Sequence, residues 1–275
     1  MVSLSLVSNR GASLANLQLK KINKELQKTQ LRITTGLRIN SPQDDPASFQ
    51  ISTKLRGEKS GLNAVKVALS NGTTVVDTAV AGAKAINDIL IEIKAKVVQG
   101  NQASLDATTR TTLSTDITQL LNQITTTVGT AEFSNINLIK TDASTFNVLS
   151  SVDGSVIRVS AQIFDPTALG INTITVLNSA SASNALTAIT TAITLATDRA
   201  SALGSSARGI EIQSNFTDSL VNVIDEGIGN IVNADLAEES ARLQALQIQQ
   251  ELATQALSIA NAAPRQLIDL LKNTI

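Results

Sequence analysis

Along most of this chain apolar residues recur at alternating steps of three and four, the spacing that places them on one line of an α-helix. From Asp235 to Ile275 the line runs Leu236, Leu243, Leu246, Ala253, Leu257, Ala260, Leu267 and Leu271, with Glu239, Gln250 and Pro264 in its gaps. One helix cannot bury such a stripe against itself. A matching stripe lies in residues 12–37, at Ala15, Leu19, Ile22, Leu26, Thr29 and Ile33. Its flanks are basic, with Arg10, Lys20, Lys21, Lys24, Lys28, Arg32 and Arg38 against Glu25, and the C-terminal stretch answers with Asp235, Glu238, Glu239 and Glu251. The two stripes are predicted to pair. Exposed ion pairs are worth ~0.2–1 kcal/mol each, enough to choose an orientation but not to hold two helices together.

Between the first stripe and the next helix lies GLRINSPQDD, Gly36 to Asp45. Gly36 and Asn40 stop a helix, Pro42 forces Ser41 out of the helical region, and Asp45 before Pro46 reads as an N-cap with proline at the first helical position. The pattern then continues through Val65, Leu69, Gly72, Val76, Ala79, Ala83, Ile86, Leu90, Ile93 and Val97, where Gly72 and Ala83 are expected to permit close helix approach. After Gly100-Asn101 a helix is predicted from about Leu105 to Val128, with Leu113, Ile117, Leu120 and Ile124 on its inner line, antiparallel to its predecessor because the connection is short.

From Ala131 to Ser183 the period changes. Phe146-Asn147-Val148 and Val156, Arg158, Ser160 alternate with period two about an Asp153-Gly154 type I′ hairpin signal, and Thr173–Leu177 reads as a third strand. Helix resumes at about Ser183 and keeps its rhythm from Leu186 to Ile231. The next step should fall on Asp235, but the seam restarts at Leu236. Asn233-Ala234-Asp235 therefore marks a change of partner, opposite the Gly36–Asp45 joint.

The expected fold is mainly α: a long antiparallel helical bundle or coiled coil with a small β-hairpin region, its termini paired in a terminal coiled-coil domain. The boundaries are 1–40 and 233–275 for that terminal domain, 41–142 and 183–232 for the central bundle, and 143–182 for a β excursion packed on it. A pair of helices so long and narrow buries too little to offset ordering costs of ~1–2 kcal/mol per residue, so the terminal domain is expected to be largely unfolded in an isolated monomer.

Composition narrows the function. The 275 residues include five Phe and no Trp, Tyr, Cys or His. Few aromatics favour many small helix contacts over a thick core. Missing Cys and His remove disulfides, thiolate metal sites and the commonest general base, and no convergent carboxylate or nucleophile cluster replaces them. The expectation is no enzyme, no cofactor and no metal. A formal net charge of −1 argues against nucleic acid as a partner. Nowhere do about 18 apolar residues run together, so no membrane insertion is expected, and residues 1–9 lack the basic front of a secretory signal.

Several stretches carry a resemblance: ITTGLRINSPQDDPA at 33–47, EFSNINLI at 132–139, FNVLSSVDGSVIRVSA at 146–161, ALGINTITV at 168–176, ALGSSARGIEIQSNF at 202–216 and NADLAEESARLQALQIQQELATQALSIANAAPRQLIDLLK at 233–272. Together they resemble the bacterial flagellins, in a short form without large variable outer domains. Pro42 and Pro46 depart from the family pattern, which has small residues or alanine there. The resemblance implies a structural subunit that polymerises with itself into the flagellar filament for motility, secreted unfolded by the flagellar type III apparatus with an export chaperone, and abutting hook-associated junction and cap proteins. It places polymerisation on Ile22, Leu26, Ile33, Leu243, Leu246, Leu257, Leu267 and Leu271, with an intramolecular coiled coil as the plainer reading of the same residues. Arg38, Asn40, Asp44 and Asp45 are expected to hold the joint in register, with ordinary capping as the plainer reading. A segment read by the flagellin-sensing toll-like receptor corresponds to Leu90–Gln99; Glu92 stands in place of its arginine and Lys96 in place of a leucine, while its acidic partner survives as Asp116. Weak or absent receptor activation follows. A hook–filament junction protein shares both terminal motifs and is the alternative; a membrane-active amphipathic protein would need wider apolar faces and Trp or Tyr anchors.

Overall fold

The structure is a computed structural model that describes residues 9–272, with side chains described for 9–262. It is mainly helical, with five long helices and two small hairpins among the described residues. The chain divides into two compact units: unit 1 holds residues 1–57 and 224–275, unit 2 residues 58–223.

In unit 1, α1 (Arg10–Thr35) starts where the Asn9 side chain accepts the Ala12 N–H at 3.0 Å, and stops at Gly36, whose φ of 70° lets its N–H return to the Arg32 carbonyl at 2.8 Å. Next, α2 (Pro46–Gly100) opens with proline at its first position, capped by Asp45: one carboxylate oxygen accepts the N–H groups of Ala47 and Ser48, the other the Ser48 hydroxyl. The break after α4 (Ser179–Val232) lies where the sequence slips register. Leu37 and Asn233 form an isolated antiparallel bridge, Arg38 N–H reaches the Val232 carbonyl at 2.7 Å, and Ala234 N–H reaches the Gly36 carbonyl at 2.9 Å. Beyond it, α5 (Leu236–Lys272) is capped by Asp235 and packs against α1.

In unit 2, α2, α3 (Ala107–Thr130) and α4 share one core. All ten α2 seam positions from Val65 to Val97 are buried. On α3 the buried line is Leu113, Ile117, Leu121, Ile124 and Val128; Leu121 takes the inner place expected of Leu120, which is half-buried at the core margin. The exposed threonines of α3 and α4 turn their hydroxyls back onto carbonyls four residues earlier, as Thr111, Thr115, Thr118, Thr191 and Thr197 do.

The β region differs from the sequence expectation in three respects. The type I′ pattern of two positive φ angles occurs at Ser134-Asn135, joining β1 (Glu132–Phe133) to β2 (Ile136–Asn137). By contrast, the loop between β3 (Phe146–Leu149) and β4 (Val156–Val159) is longer: Gly154 alone has positive φ, its N–H meets the Ser151 carbonyl, and Ser150 pairs with Ser155. Residues 173–177 form no strand: Ile174 N–H turns back to the Ile171 carbonyl, and Val176 N–H donates to the Ser114 hydroxyl of α3 while its carbonyl faces Arg110. Finally, the close approach at Gly72 is made by the hairpin and not by a helix. A Cβ there would lie 2.6 and 2.7 Å from the two methyls of Val148, and at Gly100 the corresponding neighbour is Val176.

Candidate functional site

The pairing of α1 with α5 brings the two predicted stripes face to face. Ile22, Leu26 and Ile33 from α1, with Leu243, Leu246 and Leu257 from α5, are buried or half-buried between the helices; the side chains of Leu267 and Leu271 lie outside the described residues. Polar contacts fix an antiparallel register. Asn9 reaches the Ala260 carbonyl at 2.7 Å, Gln250 donates to Asn23 at 2.7 Å, and Arg242 lies 3.6 Å from Glu25. Close to the joint, Arg32 meets Glu239 at 2.7 Å beside buried Thr29. Glu239 is only 6% exposed and its second carboxylate oxygen has no partner among the described residues, so the cost of drying the pair offsets much of its Coulombic gain. Leu236, expected on the seam, is 49% exposed, since the inward line begins one turn later at Glu239.

A second apolar line escaped the sequence reading. Leu14, Leu17 and Leu31 on α1, and Ile248, Leu252 and Ile259 on α5, stand on the outside of the pair. Their three-, four- and seven-residue spacings were the available signal, masked by the seam that runs beside them in the same rhythm.

At the joint, Asp44 gathers the N–H groups of Asn40 and Ser41, the Ser41 hydroxyl and Lys28, the last at 3.1 Å. Partial burial pushes its carboxyl up, but the Lys28 hydrogen bond and the two backbone N–H groups together hold it below the usual carboxylate range. Asp45 is also held low, by the hydroxyl and N–H of Ser48. Arg38 donates to the Ile231 carbonyl at 2.7 Å. In unit 2, Glu92 is exposed, and Lys96 donates to Asp116 at 2.8 Å, a contact that raises the Lys96 pKa.

No group of three or more potential metal ligands occurs among the described residues. What unit 1 offers is a narrow helix pair with apolar side chains on both its inner and outer lines, an arrangement suited to packing against other proteins.

Comparison with known proteins agrees with that character. Residues 7–145 match the model of the bacterial flagellin N-terminal helical region, and residues 186–271 that of the C-terminal helical region. Flagellin FljM of Caulobacter vibrioides is 34% identical over 269 residues, covering 98% of both chains. A flagellin of Brucella melitensis is 31% identical over 281 residues, covering 98% of this chain and 99% of its own. Among solved structures, a putative flagellar hook-associated protein from Vibrio parahaemolyticus shares the fold at a TM-score of 0.57 and 15% identity, over 69% of this chain and 100% of that one. The two terminal helical regions and the full-length relatives together place the chain in the bacterial flagellin family.

Proposed function

We propose that unit 1 is where this chain joins its neighbours in a filament, through the paired terminal segments 1–40 and 233–275, while residues 41–232 form the body that each subunit presents around them. The family is a structural one and not an enzyme family, and the chain is a structural subunit of the extracellular flagellar filament. The observation that carries the assembly reading is the apolar outer line on an already paired α1 and α5: Ile259 is 72% exposed and nothing in unit 1 covers it among the described residues. In this reading Ile22, Leu26, Ile33, Leu243, Leu246 and Leu257, with Leu267 and Leu271, form the seam that orders on assembly. Arg38, Asn40, Asp44 and Asp45 hold the break between the terminal pair and the rest of the chain.

The finer partners belong to the same proposal. Export is by the flagellar type III apparatus, with a chaperone and an unfolded terminal domain, and a chain without Cys travels without cross-linking. In the filament the chain abuts hook-associated junction and cap proteins. The hook-associated likeness extends to the fold alone, at 15% identity, and does not displace the filament reading. Recognition by the flagellin-sensing toll-like receptor is weak, because Glu92 reverses a contact charge and Lys96 engages Asp116; a reporter-cell assay at full potency would overturn that part.

Seeded growth of purified protein followed by electron microscopy tests the assembly proposal. Leu257→Asp places a carboxylate on the seam and is expected to abolish growth while unit 2 retains its thermal transition. Normal filaments from this variant would refute it.

A further inference from the structure

Asn71-Gly72 is the one Asn-Gly pair in the chain, and both residues lie inside α2. Asn71 is exposed, while Gly72 is buried and the space of its missing side chain is occupied by the methyls of Val148 from β3. Helix propensity disfavours glycine at such a position, so packing against the hairpin is what requires it. The same glycine places the least hindered of backbone nitrogens directly after an asparagine.

That pair can react with itself. The Gly72 nitrogen gives up its proton and bonds to Cγ of Asn71; the bond from Cγ to the side-chain amide nitrogen breaks, and ammonia leaves with that proton. A cyclic imide results. Water then opens one or other of its carbonyls, giving aspartate or, with the main chain rerouted through Cβ, isoaspartate.

The fold controls whether the ring can close. Helical ψ at Asn71, about −42°, keeps the Gly72 nitrogen turned away from Cγ, and the helix ladder engages the Gly72 N–H with a carbonyl four residues back. Exposure of Asn71 admits water but relaxes neither restraint. The helix must first open here, and Val148, itself 2% exposed, opposes that opening by sitting on Gly72.

We propose that Asn71 is a deamidation site gated by the seating of the β3–β4 hairpin on α2, shielded in the folded chain and reactive in a chain that stays unfolded. The inference is independent of the assembly reading, since both residues and the hairpin belong to unit 2. Isoaspartate at position 71 lengthens the main chain beside Gly72 and displaces it from Val148. A chain that ages unfolded therefore acquires its lesion where the hairpin must dock.

Full-length protein incubated at mildly alkaline pH, in native buffer and in concentrated urea, tests this. The peptide containing residue 71 is followed by mass spectrometry for conversion of amide to acid, and by enzymatic methylation for isoaspartate. The native rate is expected to be at least about a hundredfold below the rate in urea, reflecting the small fraction of time that α2 is open. Val148→Ala removes the methyls over Gly72 and should raise the native rate about tenfold while leaving the rate in urea unchanged. Should that variant not fold, wild type in urea below its unfolding transition gives the same information, because a reaction that waits for the hairpin to lift accelerates steeply with denaturant. Equal native and urea rates, no reaction at Asn71 in urea, a native rate indifferent to Val148→Ala, or a flat response to low urea would each overturn the proposal.

Discussion

Gly72 is the sharpest point at which the packing of unit 2 can be put to the test. It sits inside α2, where glycine costs about 1 kcal/mol relative to alanine, so helix propensity alone favours Gly72→Ala. The added Cβ would lie 2.6 and 2.7 Å from the Val148 methyls and 3.2 Å from its Cβ. Rotation of Val148 gives no relief, because two of its three staggered positions are obstructed and two methyls must be placed. Val148 is 2% exposed on β3, so the hairpin itself must move. Overpacking of this kind costs ~1–3 kcal/mol, which outweighs the propensity gain and leaves a net loss of about 1 kcal/mol. Gly204 in α4 is the control: it is helical, has ordinary φ, and nothing lies within 4 Å of its notional Cβ. Gly204→Ala should stabilise by about 0.5–1 kcal/mol. Thermal unfolding followed by helical circular dichroism reads both, at about 2–4 °C per kcal/mol for a unit of this size. The two substitutions should move the midpoint in opposite directions, and Val148→Ala should erase the penalty at Gly72. Equal shifts for the two glycines would show that the hairpin does not seat on α2 as described.

The remaining predictions concern buried and capping charges. Arg110, 7% exposed, donates to the carbonyls of Gly100 and Gln102 where α2 ends; Arg110→Met leaves those acceptors unpaired and should lower the denaturant-derived stability of unit 2 by about 2–3 kcal/mol. Asp44 and Asp45 have folded-state pKa values below the ordinary carboxylate value, so their contribution is complete above about pH 4 and is lost as pH falls through the lowered values. Acid titration of joint order should show this loss, and Asp44→Asn should remove part of the pH slope by making the joint less stable at neutral pH, where the charged carboxylate contributes fully, and leaving it little changed in acid.

Where the sequence could be read, the physics was local. Every α2 seam position from Val65 to Val97 is buried because one helix must turn one face inward, and Asp45-Pro46 starts a helix whatever surrounds it. The register slip at Asn233 was visible for the same reason: a helix with a new partner must rotate its stripe. Alternation at Thr173–Leu177, in contrast, cannot say where hydrogen-bonding partners lie, and Ser114 and Arg110 proved to be those partners. Arg110 itself gave no signal, since its carbonyl acceptors belong to the backbone. In the candidate site the seam was legible from spacing, whereas the shallow groove that Leu14 and Leu17 of α1 form with Leu252 and Ala256 of α5 depends on how two helices sit side by side. Gln18 and Lys21 contribute to its wall without breaking any one-dimensional pattern.

The threonines along α3 and α4 give these helices a skin of unusual character. A free surface hydroxyl holds water and resists being dried, but Thr111, Thr115, Thr118, Thr191 and Thr197 have already directed theirs into their own helix. What remains outermost is mostly the γ-methyl, on a side chain whose polar atom has a partner before any neighbour arrives. Such a face stays wettable in an isolated chain, yet it loses little hydration when another protein closes over it. Where these threonines lie, a neighbour can therefore close over α3 or α4, in register or slightly out of it, without their hydroxyl protons having to find a new acceptor.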